Sequence, residues 1–347
     1  MTNYLLYIIA FSMTFGITLY MTPAVKKFAI KAGAISYPKS RGMHSEPMPQ
    51  MGGLAIVIGF MATMLVLTLF VSDFRTSLFA GFMAGACIIV LLGMLDDIYI
   101  LNPKLKLVVQ IVAALVVVFT GTRMNVSFLP LHGITKNLEI PLTLIWIVGL
   151  TNAFNWIDGL DGLAAGVSSI CSICLMILCI ISNQEIAVIF AAALARSCFG
   201  FLPRNFNPAE IIMGDTGSMF LGYTLAVSSI IGVYKNYALL SVVLAVLALA
   251  FPILDMTTSV FRRVKNRKSP LAADRGHLHH KLVDSGFSPK QAVVLLYALS
   301  AVAGCVAIFI AMKDYRSLLV ILFFLFIFLL MTFFYRKRIQ KSGDEDK

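Results

Sequence analysis

The stretch Thr151–Gly166, TNAFNWIDGLDGLAAG, sets Asn152, Asn155, Asp158 and Asp161 at three-residue steps between two apolar segments. Carboxylates and amides are oxygen donors for a hard cation and hydrogen-bonding partners for a polar ligand. On an α-helix each such step falls about 60° short of a full turn, so all four cannot share one face. Neighbouring pairs can, Asn155 with Asp158 above all. Gly159 and Gly162 let the chain turn and let a ligand approach the backbone. Asp161 is equally well placed to cap the next helix.

Three further clusters carry chemistry. Asp96 and Asp97 close an apolar run in LLGMLDDIY. Adjacent carboxylates repel, and a basic partner or a cation relieves that; Lys104 and Lys106 follow about two turns on. The bland alternative is two acids that mark a helix end. MGDTGS puts Asp215 at the start of another apolar run, either as a helix cap or as a ligand of Mg2+. That ion takes one or two protein oxygens and completes its octahedron with water and substrate phosphates. RGHLHHKL holds His277, His279 and His280 beside Arg275 and Lys281. No Cys or spaced acid completes a tetrahedral zinc set, so a cationic, hydrogen-bonding clamp for phosphate or sugar is the better reading. The preceding RRVKNRK reads as a lipid-headgroup and topology patch.

These residues must be positioned by membrane helices. Of the 347 residues 59% are hydrophobic and 13% charged, where a soluble chain carries about a quarter charged. Eleven apolar runs are expected to span a bilayer, near 4–22, 53–71, 78–95, 105–120, 142–155, 163–182, 186–201, 216–233, 238–260, 291–311 and 317–335. The expected fold is an all-α polytopic membrane protein. With the N-terminus outside and the C-terminus cytoplasmic, 22 of the 28 Lys and Arg fall inside and 6 outside, as the positive-inside rule requires. The net charge of +11 is therefore a topology signal and no argument for a nucleic-acid partner. A single transmembrane catalytic domain is expected over 1–335, followed by a polar cytoplasmic tail, 336–347. All six Cys fall in apolar runs and read as small core residues.

The polar clusters gather on the cytoplasmic face. An ion-coupled transporter predicts acids near mid-span and often an internal repeat. Here the acids sit at span ends on one side and no repeat is visible. Acids, bases and a lipid setting fit Mg2+-assisted chemistry on a phosphorylated substrate.

In order, PMPQMGG, DD followed by K-x-K, NAFNWIDGLDGLA, MGDTGS and RGHLHHKL resemble the cytoplasmic loops of the polyprenyl-phosphate N-acetylhexosamine-1-phosphate transferases, across about residues 35–295. The resemblance is to the bacterial members that move GlcNAc-1-phosphate from UDP-GlcNAc to undecaprenyl phosphate and release UMP. It implies a bacterial cytoplasmic-membrane enzyme at the head of a cell-envelope glycopolymer route. Mg2+ would be the cofactor, with Mn2+ as a substitute, and a homodimer is compatible with it. By the same resemblance Asp96 and Asp97 form the catalytic acid pair near the lipid phosphate. Asp215 and Asn155 would hold Mg2+, while Asp158, Gly159 and Asp161 would line the uridine pocket. Lys104 or Lys106 would touch phosphate, and Arg275, His277, His279 and His280 would contact sugar and diphosphate. HLHH stands where the related phospho-MurNAc-pentapeptide translocase carries an HHH-type run, which favours the GlcNAc donor; the translocase is the alternative. Trp156 stands where that translocase has Leu.

Overall fold

The computed structural model describes residues 2–38, 46–71, 74, 76–126, 135–232, 238–267, 269 and 276–320. Four helices come first: α1 (Thr2–Ala32), α2 (Gly53–Phe70), α3 (Ser77–Tyr99) and α4 (Pro103–Phe119). Then follow α5 (Thr135–Ile157), α6 (Leu163–Ile181), α7 (Glu185–Asn205) and α8 (Gly214–Gly232). Next come α9 (Ala238–Ala248), α10 (Ala250–Lys265), α11 (Leu278–Asp284) and α12 (Pro289–Met312), and residues 315–320 are helical too. Between α1 and α2, β1 (Ile35–Ser36) pairs antiparallel with β2 (Met48–Pro49).

The chain is thus all-α and polytopic. Among the described residues six helices are long and apolar enough to cross a membrane, or seven if one bent pair counts as a single span. That pair corrects an expectation. The run 238–260 does not form one straight helix, because α9 and α10 meet at 86°. The apolar count hid a polar face: Asp255, Ser259 and Arg263, four residues apart on α10, are all buried against protein. The expected eleventh span lies largely, and the 336–347 tail wholly, outside the described residues.

Helix α8 is the centre of the bundle, with 16 of its 19 residues buried and α2, α3, α5, α6 and α7 around it. In lipid no hydrophobic force drives helices together, so close backbone approach through small residues has to supply the attraction. A Cβ placed on Gly53 would lie 2.0 Å from the Cα of Gly217, and one on Gly93 2.4 Å from the Cα of Thr216. On the α5 side, a Cβ on Gly222 would lie 2.4 Å from the carbonyl oxygen of Leu150. Three helices are thereby drawn onto α8 without side chains between them. Gly217→Ala, whose new Cβ would sit 2.5 Å from the Gly53 Cα, is expected to cost about 1–3 kcal/mol through overpacking. The check is the melting temperature in detergent; an unchanged value would mean that α2 and α8 are not in this contact.

A backbone strap registers the segment before α8. Ile212 donates to the Pro49 carbonyl at 2.9 Å, while Gly52 and Gly53 donate to Ile212 and Met213 at 2.9 and 2.8 Å. The start of α2 is therefore locked beside the start of α8.

Candidate active site at the head of α8

The first amides of any helix lack intrahelical acceptors. At α8 two carboxylates from other elements supply them. The Asp215 amide donates to Asp97 Oδ1 at 2.8 Å, and the Thr216 amide and hydroxyl donate to Asp97 Oδ2 at 3.1 and 2.6 Å. The Gly214 amide donates to Asp158, just past the end of α5. Gly214 has φ +76°, and a Cβ there would lie 2.7 Å from both Asp97 oxygens. Only glycine serves at that position.

The two adjacent acids of α3 divide their partners. Asp97 is spent on the α8 amides, whereas Asp96 reaches the side chains of Lys106 and Asp215. Its Oδ1 accepts from the Leu101 amide at 2.7 Å and its Oδ2 from Lys106 Nζ at 2.6 Å. The same Nζ donates to Asp215 Oδ2 at 2.9 Å. Lys106 thus bridges two carboxylates, while Lys104 is exposed and contributes its backbone amide to the Asn102 cap of α4. Asn155 donates to Ser218 Oγ at 3.0 Å and lies within side-chain hydrogen-bonding reach of Asp215.

Asp158 closes this acidic group. Burial, together with the carboxylates of Asp215, Asp97 and Asp161, holds its carboxyl well above the usual range. An acid with a raised folded-state pKa binds protons that the unfolded chain releases, so stability falls as pH climbs past the ordinary carboxylate range. Asn keeps an oxygen for the Gly214 amide and removes the charge. Asp158→Asn is therefore expected to melt higher than wild type at pH 7–8 in Mg2+-free detergent. The advantage should fade as pH drops towards about 4; an equal or lower melting point at pH 8 counts against the cluster.

The N-cap of α6 is Gly162 (φ 76°), one residue past Asp161 and without a side-chain cap of its own. Asp161 Oδ2 instead accepts from Asn207 Nδ2 and the Ala209 amide, both at 3.1 Å, tying the α5–α6 turn to the segment after α7. Asn205 Oδ1 takes the Gly162 amide at 3.1 Å.

Beside the acids opens a cavity of about 370 Å³. Lys106 and Gln110 of α4 and Asn152, Asn155 and Trp156 of α5 line it. His277, His279, His280, Arg263 and Gly159 share the lining, with Arg263 and His277 beside Trp156. A Cβ on Gly159 would lie 2.2 Å from His279 Nε2, so this glycine makes room for the imidazole. His279 is only 1% exposed; burial, aided by His280, holds its pKa down to about 3, so it acts as a neutral hydrogen-bonding group. Arg275 lies outside the described residues.

The structure also brings in residues the sequence reading left out. Arg263, assigned there to a topology patch, is 4% exposed, borders the cavity and stacks its guanidinium 4.6 Å from the Trp156 ring. Asp255 is hydrogen-bonded to His277 at 2.7 Å. A signal was present, since Asp255 is the one charged residue in the run 238–260. Gln110, paired with Asn152 at 2.6 Å, had no such signal.

Among the described residues no three His, Cys, Asp or Glu side chains converge on a metal position. The donors around Lys106 are carboxylate and amide oxygens. They fit Mg2+, which needs one or two protein oxygens, and do not fit a closed zinc site.

A family model described as glycosyl transferase family 4 matches residues 79–233, the segment that holds all four clustered acids. A Bacillus subtilis (strain 168) protein named "Probable undecaprenyl-phosphate N-acetylglucosaminyl 1-phosphate transferase" is 38% identical over 327 residues, 93% of this chain and 90% of that protein. The decaprenyl-phosphate N-acetylglucosaminephosphotransferase of Mycolicibacterium smegmatis is 36% identical over 310 residues, 81% of this chain and 76% of its own length. The undecaprenyl-phosphate alpha-N-acetylglucosaminyl 1-phosphate transferase of Yersinia pestis is 27% identical over 316 residues, covering 89% and 84%.

Proposed function

The chain belongs to glycosyl transferase family 4, and from that premise we propose that it transfers GlcNAc-1-phosphate from UDP-GlcNAc to undecaprenyl phosphate, releasing UMP. One observation carries the reading. Lys106, which bridges the carboxylates of Asp96 and Asp215, lines one cavity together with Arg263 and the imidazoles of His277, His279 and His280, at the ends of apolar helices. A water-soluble nucleotide and a membrane-dissolved acceptor can meet there. The proposal includes eleven spans, an external N-terminus, a cytoplasmic site in the bacterial inner membrane and a cell-envelope glycopolymer route.

An oxygen of the lipid phosphate attacks the β-phosphorus of the donor. The bond from that phosphorus to the bridging oxygen breaks, and UMP leaves with the electron pair. A phosphate monoester with a second pKa near ~6 is largely dianionic at neutral pH, so a strong base is not required. Two anions must nevertheless approach, and positive charge has to offset their repulsion. Among the described residues Lys106 and Arg263 are the Lys and Arg side chains that line the cavity, and neutral His279 adds hydrogen bonding without charge. Asp215 and Asn155 would hold Mg2+, whose chemistry here is to take up charge on the leaving phosphate. Both oxygens of Asp97 are engaged by α8, which supports direct attack over an aspartyl-phosphate on that residue.

The test is labelled UDP-GlcNAc with membranes containing the protein, undecaprenyl phosphate and Mg2+, with UDP-GalNAc and UDP-MurNAc-pentapeptide as competing donors. Butanol-soluble label and equimolar UMP are expected from UDP-GlcNAc. UMP release from the muramyl donor alone would identify the translocase activity instead, and no UMP from any donor would overturn the proposal.

A further inference from the structure

Helix α10 meets the His loop through one buried face. Asp255, 4% exposed, uses both oxygens: Oδ2 is 2.7 Å from His277 Nδ1 and Oδ1 accepts the Leu278 amide at 2.7 Å. The second bond caps α11. The first decides where the imidazole carries its proton. A carboxylate accepts only, so the Nδ1 that faces it must be N–H. At the other ring nitrogen, Arg263 NH2 stands 3.4 Å from His277 Nε2. A guanidinium donates only, so Nε2 must offer its lone pair. The two demands agree on one neutral tautomer. Ser259 Oγ lies 3.3 Å from Nδ1 and itself accepts from Arg262 at 3.2 Å, which closes that side of the ring.

We propose that Asp255 is a positioning residue: it locks His277 in the Nδ1–H tautomer, so that Nε2 anchors Arg263 against Trp156 on the cavity wall. Arg263 is then oriented on the cavity wall by the ring nitrogen and by the indole face, in place to meet an anionic ligand. With the opposite tautomer an N–H would face the guanidinium, and the arginine would swing off. The role in turnover rests on the phosphotransferase reading above, whereas the tautomer does not.

Asp255→Asn separates the two duties of the side chain. Its amide oxygen can still cap Leu278, while its NH2 faces Nδ1 and demands a lone pair there. The full-length protein, labelled with 15N-histidine in detergent micelles, reports the tautomer directly, with His277→Ala assigning the signal. Wild type is expected to show His277 as Nδ1–H and Asp255→Asn to convert it to Nε2–H. An Nε2–H signal in wild type, or a tautomer indifferent to Asp255→Asn, would overturn the proposal whatever the enzyme does. In donor kinetics Asp255→Asn is expected to lower kcat/KM by roughly tenfold or more, with Asp255→Glu recovering part of the loss. The double variant with His277→Ala should fall no more than about twofold below His277→Ala alone. Fully multiplied losses would mean that Asp255 serves only the α11 cap.

Discussion

Asp215→Asn is expected to lower Mg2+-dependent turnover by on the order of 10³-fold while the protein still inserts in the membrane. Asp215 sits in the first turn of α8, where its amide is already taken by Asp97 and its carboxylate projects towards Lys106 and Asn155. Asn preserves the size and the backbone bond, so α8 keeps its start. What disappears is the negative charge, the only feature of this side chain that a hard cation requires. Lys106 keeps Asp96 as its partner at 2.6 Å, and the neighbourhood should not collapse. Turnover is measured across Mg2+ concentrations, with membrane content as the control. Activity within tenfold of wild type at saturating Mg2+ would remove Asp215 from the chemistry.

Asp97→Asn should fail for a different reason. Both Asp97 oxygens accept, one from the Asp215 amide and the other from the Thr216 amide and hydroxyl. An Asn NH2 must therefore point at a backbone N–H whichever way it flips. One buried donor loses its acceptor and meets another donor, at a cost of about 2–4 kcal/mol. The head of α8 carries Asp215, so a lower melting temperature and a turnover loss of at least about 10²-fold should appear together. Asp96→Asn, on a side chain that meets the Leu101 amide, Lys106 and the Asp215 carboxyl, should lower turnover with a smaller effect on melting. Equal melting temperatures for wild type and Asp97→Asn would sink the capping role.

Apolar run length and the placement of charge are local properties, and they carried the class of protein. Nine of the expected spans coincide with helices, and the ninth in order is broken at Leu249, where the helix must turn Asp255 and Arg263 away from lipid. The acid clusters were legible too, because ionisable residues are conspicuous in a chain with 13% charge. Their division of labour was not. Whether Asp96 or Asp97 is free for chemistry depends on amides 118 and 119 residues away. Neither residue type nor spacing along a helix reports which carboxylate faces a distant helix end.

The same reason governs the rest. By itself the sequence determined an all-helical membrane chain with oxygen donors, lysines and imidazoles at span ends, since each of these follows from residues near one another in the chain. Only the tertiary structure decided that Asp161 ties down a remote segment, that Lys106 and not Lys104 bridges two acids, and that Asp255 and Arg263 belong to the cavity wall. Those assignments are set by hydrogen bonds between helices brought together through glycine contacts, and such partners acquire a direction only when the bundle has closed.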